Sequence, residues 1–476
     1  MIIYCIRKSI IAWLFMSVSV WAESPTDHSQ YSELDRIFNS APEVTIACLE
    51  CHKEAARQIH KTKHWKWEFL NPKNKQRLGK KNILNNFCIT PQSNFSFCAA
   101  CHIGYGWKDD SFDFTAEERV DCLVCHDTTG GYSKPPGKAG YPADYVNLKN
   151  VAQNVGKTSR DTCGACHFFG GGGDGVKHGD LDSSLAAPDR ELDVHMDSLG
   201  ADFSCSTCHK SSGHDVVGSR YSPTVADSST DNTATCRSCH LDKPHPEKRG
   251  KLEEREKYEE LNKHAIKIAC QTCHIPTIAR GGVATMMTWD WSTAGKLTAQ
   301  GKPVVKKDET GNVVYYGKKG SFTFGENVIP EYIWFNGNVD YTLLKDKIDN
   351  KEDVAYINRF QGSADDGVSR IWPVKVFRGK QPYDPVNKTL VVPHTTGKDK
   401  TSYWANFDWG KSVTEGMKVA GRPFSGKVDF INTQMSWPIT HMVAPAEDSL
   451  ACEDCHSKNG RLRNLDGVEV SDLEKD

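Results

Sequence analysis

The 476-residue chain has almost no net charge and no long run of basic residues. Its 59 lysines and arginines nearly balance its 61 aspartates and glutamates, which gives a formal net charge of −2. Proteins that bind nucleic acid usually carry an excess of positive charge, so this balance argues against a nucleic-acid partner. The absence of a basic run likewise gives no indication of binding to an anionic membrane surface.

Long apolar runs are also missing beyond the N-terminus. Residues 10–20 form one apolar stretch, which follows Arg7 and Lys8 and leads into Val20-Trp21-Ala22, a plausible cleavage site. This pattern predicts a signal peptide over residues 1–22, and the stretch is too short to span a bilayer easily. An uncleaved membrane anchor is the alternative. The remaining long segments are polar, so the mature protein is not expected to span a membrane.

Cysteine is not available for disulfides. The chain has 18 cysteines, and 16 of them fall in eight copies of Cys-x-x-Cys-His. Cys5 lies in the predicted leader, which leaves Cys88 as the only unassigned thiol. Zinc sites, disulfides and thioredoxin-like motifs do not require a histidine after every second cysteine, and chance would give roughly 0.03 copies.

The spacing is that of c-type haem attachment, in which two thiols bind one porphyrin and the histidine binds its iron. The sequence therefore predicts eight covalent haems, and c-type haem is attached outside the cytoplasm, which agrees with export to the periplasm. The expected attachment cysteines are Cys48, Cys51, Cys98, Cys101, Cys122, Cys125, Cys163, Cys166, Cys205, Cys208, Cys236, Cys239, Cys270, Cys273, Cys452 and Cys455. The expected proximal histidines are His52, His102, His126, His167, His209, His240, His274 and His456.

Eight porphyrins would replace much of the side-chain core, so little regular structure is needed. We predict a mainly α multihaem cytochrome c with extensive irregular structure, a haem-packed core and a small β-containing region without haem. Residues 23–282 hold seven motifs, residues 283–445 form the haem-free mixed β and loop region, and residues 446–476 carry the eighth motif and a charged tail. Helices are expected at residues 54–67 and 252–268, and strands at residues 304–306, 313–316, 372–377 and 389–392.

Ten histidines outside the motifs are available as distal iron ligands. His28 lies in the polar lead-in and is set aside, and of His60 and His64 on one helix face we choose His64. His214 and His245 each follow a motif histidine by five residues, so each is expected to serve a neighbouring haem. His178 follows a lysine that is discussed next. The seven predicted distal histidines are His64, His195, His214, His245, His264, His394 and His441.

The chain resembles the octahaem tetrathionate reductase family of periplasmic cytochromes, which is related by haem arrangement to pentahaem nitrite reductases and hydroxylamine oxidoreductases. The resemblance covers nearly the whole mature chain. Besides the eight motifs, it rests on His64-Trp65-Lys66-Trp67, Asn86-Phe87-Cys88-Ile89, Ile103-Gly104-Tyr105-Gly106-Trp107, Val176-Lys177-His178-Gly179-Asp180-Leu181 and Ile275-Pro276 after the seventh motif.

The resemblance implies that the second haem, attached at Cys98 and Cys101, is catalytic. It implies Lys177 as the distal ligand of that haem and Cys88 as a free thiol nearby. The glycines at residues 170–175 would let this loop approach a flat surface closely, although a flexible surface loop explains them as well. A lysine binds iron only when its amine is uncharged, and a thiolate could attack a sulfur–sulfur bond.

Asp180 and His178 are further candidates as proton donors. Loop hydrogen bonding is the alternative for both.

The leading interpretation is a reductase of a small inorganic sulfur or nitrogen oxyanion: tetrathionate to thiosulfate, or nitrite and hydroxylamine to ammonium. Its expected electron donor is a cytochrome or a quinol-linked membrane cytochrome. A pure electron carrier with eight saturated haems is the second interpretation. An oxidase of the hydroxylamine oxidoreductase kind is the third.

Overall fold

The computed structural model describes residues 26–218, 234–245, 252–348 and 353–469. The predicted signal peptide lies outside the described residues. No helix among the described residues is long and apolar enough to cross a membrane.

Most helices are short. The α-helices are α1 Ala41–Cys51, α2 Ala55–Ile59, α3 Lys63–Lys66, α4 Phe95–Cys98, α5 Leu123–His126, α6 Leu148–Gln153, α7 Arg160–His167, α8 Cys205–Cys208, α9 Arg237–His240, α10 Leu252–Lys267, α11 Cys270–His274, α12 Tyr403–Asn406, α13 Trp409–Val419 and α14 Cys452–Cys455. Single 3-10 turns occur at His28–Gln30, Ser32–Leu34, Ala99–Cys101, Glu117–Arg119, Ser183–Ala186, Trp291–Thr293 and Ala446–Asp448.

Every Cys-x-x-Cys-His motif lies on one of these helical turns. Helices α1, α4, α5, α7, α8, α9, α11 and α14 each overlap one motif, and after α4 the second motif continues as a 3-10 turn. Residues three apart lie on the same face of a helix, so one turn presents both cysteines to the same side. Eight of the described α-helices therefore position the motifs.

The strands are β1 Phe69–Leu70, β2 Arg77–Leu78, β3 Ser211–Ser212, β4 Asp215–Val216, β5 Thr285–Asp290, β6 Val305–Lys307, β7 Val313–Tyr316, β8 Gly320–Gly325, β9 Glu331–Phe335, β10 Asn338–Tyr341, β11 Val354–Tyr356, β12 Asn358–Gln361, β13 Arg370–Asp384, β14 Thr389–Leu390 and β15 Asp429–Pro438. Nine of the described strands form one sheet, whose main order is β11-β15-β13-β5-β8-β7-β6. Strand β9 pairs with the start of β13, and strand β14 pairs with its end.

Strand β13 is the centre of this sheet. It pairs antiparallel with β15 over ten residue pairs, from Val374–Pro438 to Tyr383–Asp429, and parallel with β5 through residues 378–380. The largest hydrophobic core packs on it and includes Trp289, Trp291 and Trp437. The sheet therefore builds a side-chain core, whereas the motif-bearing half has only small hydrophobic clusters.

The structure has the short helices, irregular segments and sheet-bearing region that the sequence predicts. The helix expected over residues 54–67 is divided, because the Thr62 hydroxyl accepts from the backbone N–H of Trp65 and starts α3 as an N-cap. The sheet is larger than predicted. Pro373, Lys375 and Gly379 interrupt the apolar pattern of β13, so its full 15-residue length does not show in the sequence.

Candidate active site

Contacts between cysteines link several of the motifs to one another. Side chains of different motifs lie within hydrogen-bonding reach at Cys48 and Cys122, Cys101 and Cys166, Cys163 and Cys205, and Cys236 and Cys270. The second motif therefore adjoins the fourth, and the fourth adjoins the fifth. Such contacts bring the attached groups of neighbouring motifs close enough to form a path for electrons.

Six motif histidines face a histidine from elsewhere in the described chain. A metal–imidazole bond of about 2 Å puts two opposed ring centroids roughly 6 Å apart, so these pairs leave the space of one iron atom. The centroid separations are 6.4 Å for His28–His52, 6.2 Å for His64–His167, 6.2 Å for His441–His209, 5.9 Å for His195–His240, 6.3 Å for His245–His274 and 6.0 Å for His264–His456.

The third motif has its own distal candidate in His214. Its pKa is lowered by burial and by the neighbouring charge of His126, the third motif histidine. His126 Nδ1 lies 2.8 Å from the Gly156 carbonyl oxygen, and His214 Nδ1 lies 2.8 Å from Oε1 of Gln58. Anchoring Nδ1 in this way leaves Nε2 of each ring free to bind a metal.

The structure places His28, and not the predicted His394, opposite a motif histidine in the described chain. His28, which the sequence analysis set aside, faces His52, and its Nδ1 is anchored 2.9 Å from the Thr26 carbonyl oxygen. His394 was predicted as a distal ligand, but its ring faces no motif histidine in the described chain. Its Nδ1 is 2.7 Å from the Ser93 carbonyl oxygen and its Nε2 is 3.0 Å from Asp399. Both ring nitrogens of His394 are thus engaged by the protein, so the geometry favours His28 over His394 as a distal ligand.

His60, the neighbour that we did not choose, stacks on Trp65 at 4.7 Å and faces no motif histidine in the described residues. His64 is the one of the two that does.

The second motif differs from the other seven. His102 is fully buried among aromatic rings, with Trp107 at 4.7 Å, Trp65 at 5.2 Å and Trp67 at 5.3 Å. No histidine stands opposite it in the part of the chain that the structure describes. Its Nε2 lies 2.7 Å from the Trp65 carbonyl oxygen, and that contact must be given up when Nε2 binds iron.

A buried ion pair supports the backbone of the second motif. Lys134 donates to the His102 carbonyl oxygen over 2.6 Å and to Asp121 over 2.7 Å, with both side chains almost fully buried. The hydroxyls of Tyr105 and Tyr132 donate to the other oxygen of Asp121 over 2.9 and 3.0 Å. This network fixes the segment that carries His102 and joins it to the start of the third motif.

Lys177 is a buried lysine whose charge acts on the second motif. Burial lowers the pKa of Lys177 to about 7, so much of the amine is uncharged at neutral pH and has a free lone pair. Nζ lies 5.4 Å from the ring centroid of Trp437, and Lys177 and Cys101 of the second motif affect one another electrostatically. An uncharged amine within electrostatic reach of a motif with no opposed histidine in the described residues is suited to bind the iron there.

The loop that carries Lys177 is held from beneath by strands β5 and β13. Lys375 of β13 is buried, and its Nζ donates to the Val176 carbonyl oxygen over 3.0 Å and approaches that of Lys177 at 3.5 Å. Thr285 of β5 donates to the carbonyl oxygens of Gly175 and His178 over 2.7 and 3.0 Å. Sequence reasoning missed Lys375, although a single lysine among Val374, Val376 and Phe377 signals a buried polar role.

The glycines of this loop make room for Lys177 and Cys88. Gly171 and Gly172 have φ of +91° and +92°, a conformation that side chains rarely adopt. A Cβ at Gly170 would lie 3.2 Å from Cδ of Lys177, and one at Gly172 would lie 3.3 Å from Sγ of Cys88. The Cys88 thiol in turn donates to the Gly171 carbonyl oxygen over 2.9 Å. Lys177 and Cys88 therefore both lie against the same glycine loop.

Asp180 does not have the geometry expected of a proton donor. One carboxylate oxygen accepts from the backbone N–H groups of Thr440 and His441, over 2.7 and 2.9 Å, and lies 3.3 Å from His441 Nδ1. Burial alone would raise its pKa, but the bonds and charge of His441 hold the pKa of Asp180 at about 2. The carboxylate stays ionised and orients His441, the histidine opposite the fifth motif.

His178 packs on β15 against Trp437, the same ring that Lys177 approaches. Its ring packs edge-on against Trp437 at 5.1 Å, and burial together with the neighbouring Lys177 charge keeps its pKa well below the usual range. The imidazole is uncharged at neutral pH, so the proposed role as a protonated donor is not supported by its surroundings.

Comparison with known proteins agrees with this arrangement. Residues 47–127 match the family described as cytochrome c554 and c-prime, and residues 286–459 match the family described as bacterial cytochrome c. An octahaem cytochrome c from Shewanella oneidensis, known from its crystal structure, is 40% identical and superposes with a TM-score of 0.83. The match covers 94% of this chain and 98% of that one. The chain belongs to the octahaem cytochromes c.

A protein from Archaeoglobus fulgidus, described as uncharacterized, is 24% identical to this cytochrome over 247 residues. The match covers 40% of this chain and 80% of that protein. The Shewanella oneidensis structure confirms the predicted fold class of a multihaem cytochrome c with a sheet-containing region.

The residues present fit covalently bound haem c. Each motif presents its two cysteines from one helical turn, and six histidine pairs leave the space of an iron atom. Haem would supply the one-electron chemistry at each motif. The chain's own part would be to supply the ligand opposite each motif histidine, and in the described residues six motifs have an opposed histidine while the second has none.

The exchange of His28 for His394 gives a direct prediction. The His28→Ala variant is expected to lose one bis-histidine low-spin signal in the electron paramagnetic resonance spectrum, because the haem at Cys48 and Cys51 loses its distal imidazole. The matched His394→Ala variant should keep all of its low-spin signals, since this ring binds only Ser93 and Asp399. Loss of a low-spin signal in His394→Ala alone would restore the prediction made from the sequence.

Asp180 is expected to tune the fifth haem. A carboxylate that accepts a hydrogen bond from a ligating histidine makes that ligand a better electron donor. The Asp180→Asn variant should therefore shift one bis-histidine haem to a more positive midpoint potential in a spectroelectrochemical titration. Asp399→Asn is the control, because Asp399 bonds in the same way to His394, which faces no motif histidine. Equal shifts in both variants would mean that the effect is one of overall charge.

Proposed function

We propose that this cytochrome is a periplasmic reductase in which all eight motifs carry haem and the second haem binds and reduces the substrate. The main support is the set of residues that lie near the motif histidines. Seven motif histidines have a histidine from elsewhere nearby, whereas His102 has none in the described chain and the buried amine of Lys177 lies at its motif. Haem with two imidazoles has no free position for a substrate, and a single amine is a weaker competitor for iron than a second imidazole.

The surroundings of the second motif favour a small anion as substrate. Cys88 and Lys177 both lie against the glycine loop, and no carboxylate forms an ion pair with Lys177 in the described residues. Tetrathionate combines negative charge with a sulfur–sulfur bond that a thiol can attack, and its reduction by two electrons gives two thiosulfate ions. Nitrite and hydroxylamine, which go to ammonium, are the nitrogen substrates of the same proposal.

Electrons would reach the second haem through its neighbours. Cys101 of the second motif contacts Cys166 of the fourth, and the fourth continues to the fifth through Cys163 and Cys205. Seven bis-histidine haems would store electrons for reactions that need several. The expected donor is a periplasmic cytochrome or a quinol-linked membrane cytochrome, and the predicted signal peptide would deliver the chain to that compartment.

The test is a steady-state assay of the purified protein with a reduced viologen dye as electron donor. Tetrathionate, nitrite and hydroxylamine are supplied in turn, and intact-mass spectrometry of the same sample should show the mass of eight haems. Turnover of at least one substrate supports the proposal. Absence of turnover with all three, in a sample that carries eight haems and accepts electrons, favours a pure electron carrier. Faster oxidation of hydroxylamine with an electron acceptor than reduction of it favours the oxidase.

A further inference from the structure

Two lysines act electrostatically on Cys88 and have no carboxylate partner in the described residues. Lys319 and Lys80 are both half-buried, and neither forms an ion pair within the described part of the chain. Each side chain is instead placed on tryptophan rings. Lys80 Nζ lies 4.3 Å from the ring centroid of Trp67, and Lys319 Nζ lies 5.5 and 5.9 Å from those of Trp289 and Trp404. A partly buried cation without a counter-ion favours a nearby anion, so such a pair indicates a site for one.

Both lysines act electrostatically on the Cys88 thiol, and Lys80 also acts on the second motif. Lys319 Nζ lies 3.7 Å, and Cys88 Sγ 3.3 Å, from the position that a Cβ at Gly172 would occupy, so ammonium and thiol flank the same glycine. Burial raises the pKa of the Cys88 thiol, and the charges of Lys319 and Lys80 oppose that effect. The charge of Lys80 also reaches Cys98 and Cys101 of the second motif.

A buried hydrogen-bond donor lies near Lys319. The indole Nε1 of Trp404 is buried and has no acceptor among the described residues. Trp404 packs edge-on against Phe97, which precedes the second motif, and its other neighbour is Lys319. An unsatisfied N–H between a lysine and the haem motif is an independent sign of an acceptor that the protein chain does not supply.

We infer that Lys319, Lys80 and the Trp404 N–H form an anion subsite that binds an oxyanion group of the substrate beside Cys88. In tetrathionate this group would be a terminal sulfonate, and binding it there would place the sulfur–sulfur bond near the thiol. Nitrite would use the same charge. Hydroxylamine is uncharged at neutral pH and would gain nothing from these lysines. The inference rests on the proposed reaction at the second haem, but its first test does not require turnover.

That test measures the alkylation of Cys88 by iodoacetate, an anion, and by iodoacetamide, its neutral counterpart. The other cysteines of the mature holoprotein are bound to haem, so mass spectrometry follows Cys88 alone. The ratio of the two rates cancels any change in thiol ionisation. Lys319→Met and Lys80→Met are each expected to lower the iodoacetate-to-iodoacetamide ratio by roughly fivefold. Lys319→Arg should keep the ratio, and Lys318→Met removes the same charge one residue away as a control.

The kinetic arm compares charged and neutral substrates at one haem. Lys319→Met should raise KM for nitrite and tetrathionate by about fivefold and leave KM for hydroxylamine within about twofold. An unchanged alkylation ratio in Lys319→Met and in the double variant with Lys80→Met would overturn the subsite, as would equal losses with all three substrates. If the wild-type protein reduces none of the substrates, a lowered alkylation ratio still supports an anion site while the proposed function fails.

Discussion

The Lys177→Ala variant is expected to contain one high-spin or water-ligated haem, where the wild-type protein has an amine-ligated low-spin one. The change should appear in the optical spectrum and in electron paramagnetic resonance, and it should leave the seven bis-histidine signals in place. Turnover should fall by at least about tenfold, because the active pocket loses a positioned nitrogen beside the reacting group. No other change of a single side chain away from the motifs should alter the spin state of the second haem as completely.

The reason is that we see no replacement ligand among the residues that the structure describes. His178, the next residue, packs against Trp437 and lies in a loop that Lys375 and Thr285 hold by its backbone. The loop therefore cannot easily turn His178 toward the second motif when Lys177 is shortened. Lys210→Ala is a suitable control, since that lysine is exposed and directly follows the fifth motif histidine. Eight unchanged low-spin signals in Lys177→Ala would remove the proposed active site and favour the pure electron carrier.

The motif positions could be predicted because they depend on local sequence, whereas the role of Lys177 stays a prediction. Two cysteines and a histidine in five residues need only one helical turn to meet a porphyrin, whatever surrounds them. The Lys177 prediction needed the resemblance, yet its glycine context is visible in the sequence, and the structure places those glycines against Lys177 and Cys88.

The distal histidines depend on contacts between distant segments, and there the sequence was less informative. His28 lies in a polar lead-in with no pattern that marks it, and its position follows from a turn that Asp27 caps. His394 was favoured because the number of histidines nearly matched the number of irons. Ser93 and Asp399 hold its ring instead, and neither neighbour is suggested by spacing along the chain.

Asp180 and Lys375 show the same limit for the charged residues. Asp180 lies three residues after Lys177, and proximity in sequence suggested a shared pocket. The strand β15 ends close by and brings His441 against the Asp180 carboxylate. Asp180 therefore acts on the histidine opposite the fifth motif, whereas Lys177 acts on the second motif. Lys375 reaches the loop from almost two hundred residues away through the register of β13, which the sequence does not reveal.

The Cys88→Ser variant should separate sulfur chemistry from nitrogen chemistry at the same haem. Reduction of tetrathionate is expected to fall by about 100-fold, because a hydroxyl cannot replace a thiol in exchange with a sulfur–sulfur bond. Reduction of nitrite and hydroxylamine should stay within about threefold, since serine keeps the size of the side chain and a hydrogen bond to Gly171. The measurement is the ratio of kcat/KM for tetrathionate to that for hydroxylamine in both proteins.

The expected chemistry accounts for each atom. The Cys88 thiol would first lose its proton, and the resulting thiolate would attack one sulfur of the central sulfur–sulfur bond. One thiosulfate would leave as a mixed disulfide forms on Cys88. Two electrons and one proton would then release the second thiosulfate and restore the thiol. Trapping with tetrathionate under non-reducing conditions should therefore add the mass of one thiosulfate group to Cys88. If Cys88→Ser reduces tetrathionate as fast as the wild type and no such adduct forms, the thiol takes no part, and tetrathionate must be reduced at the haem without it.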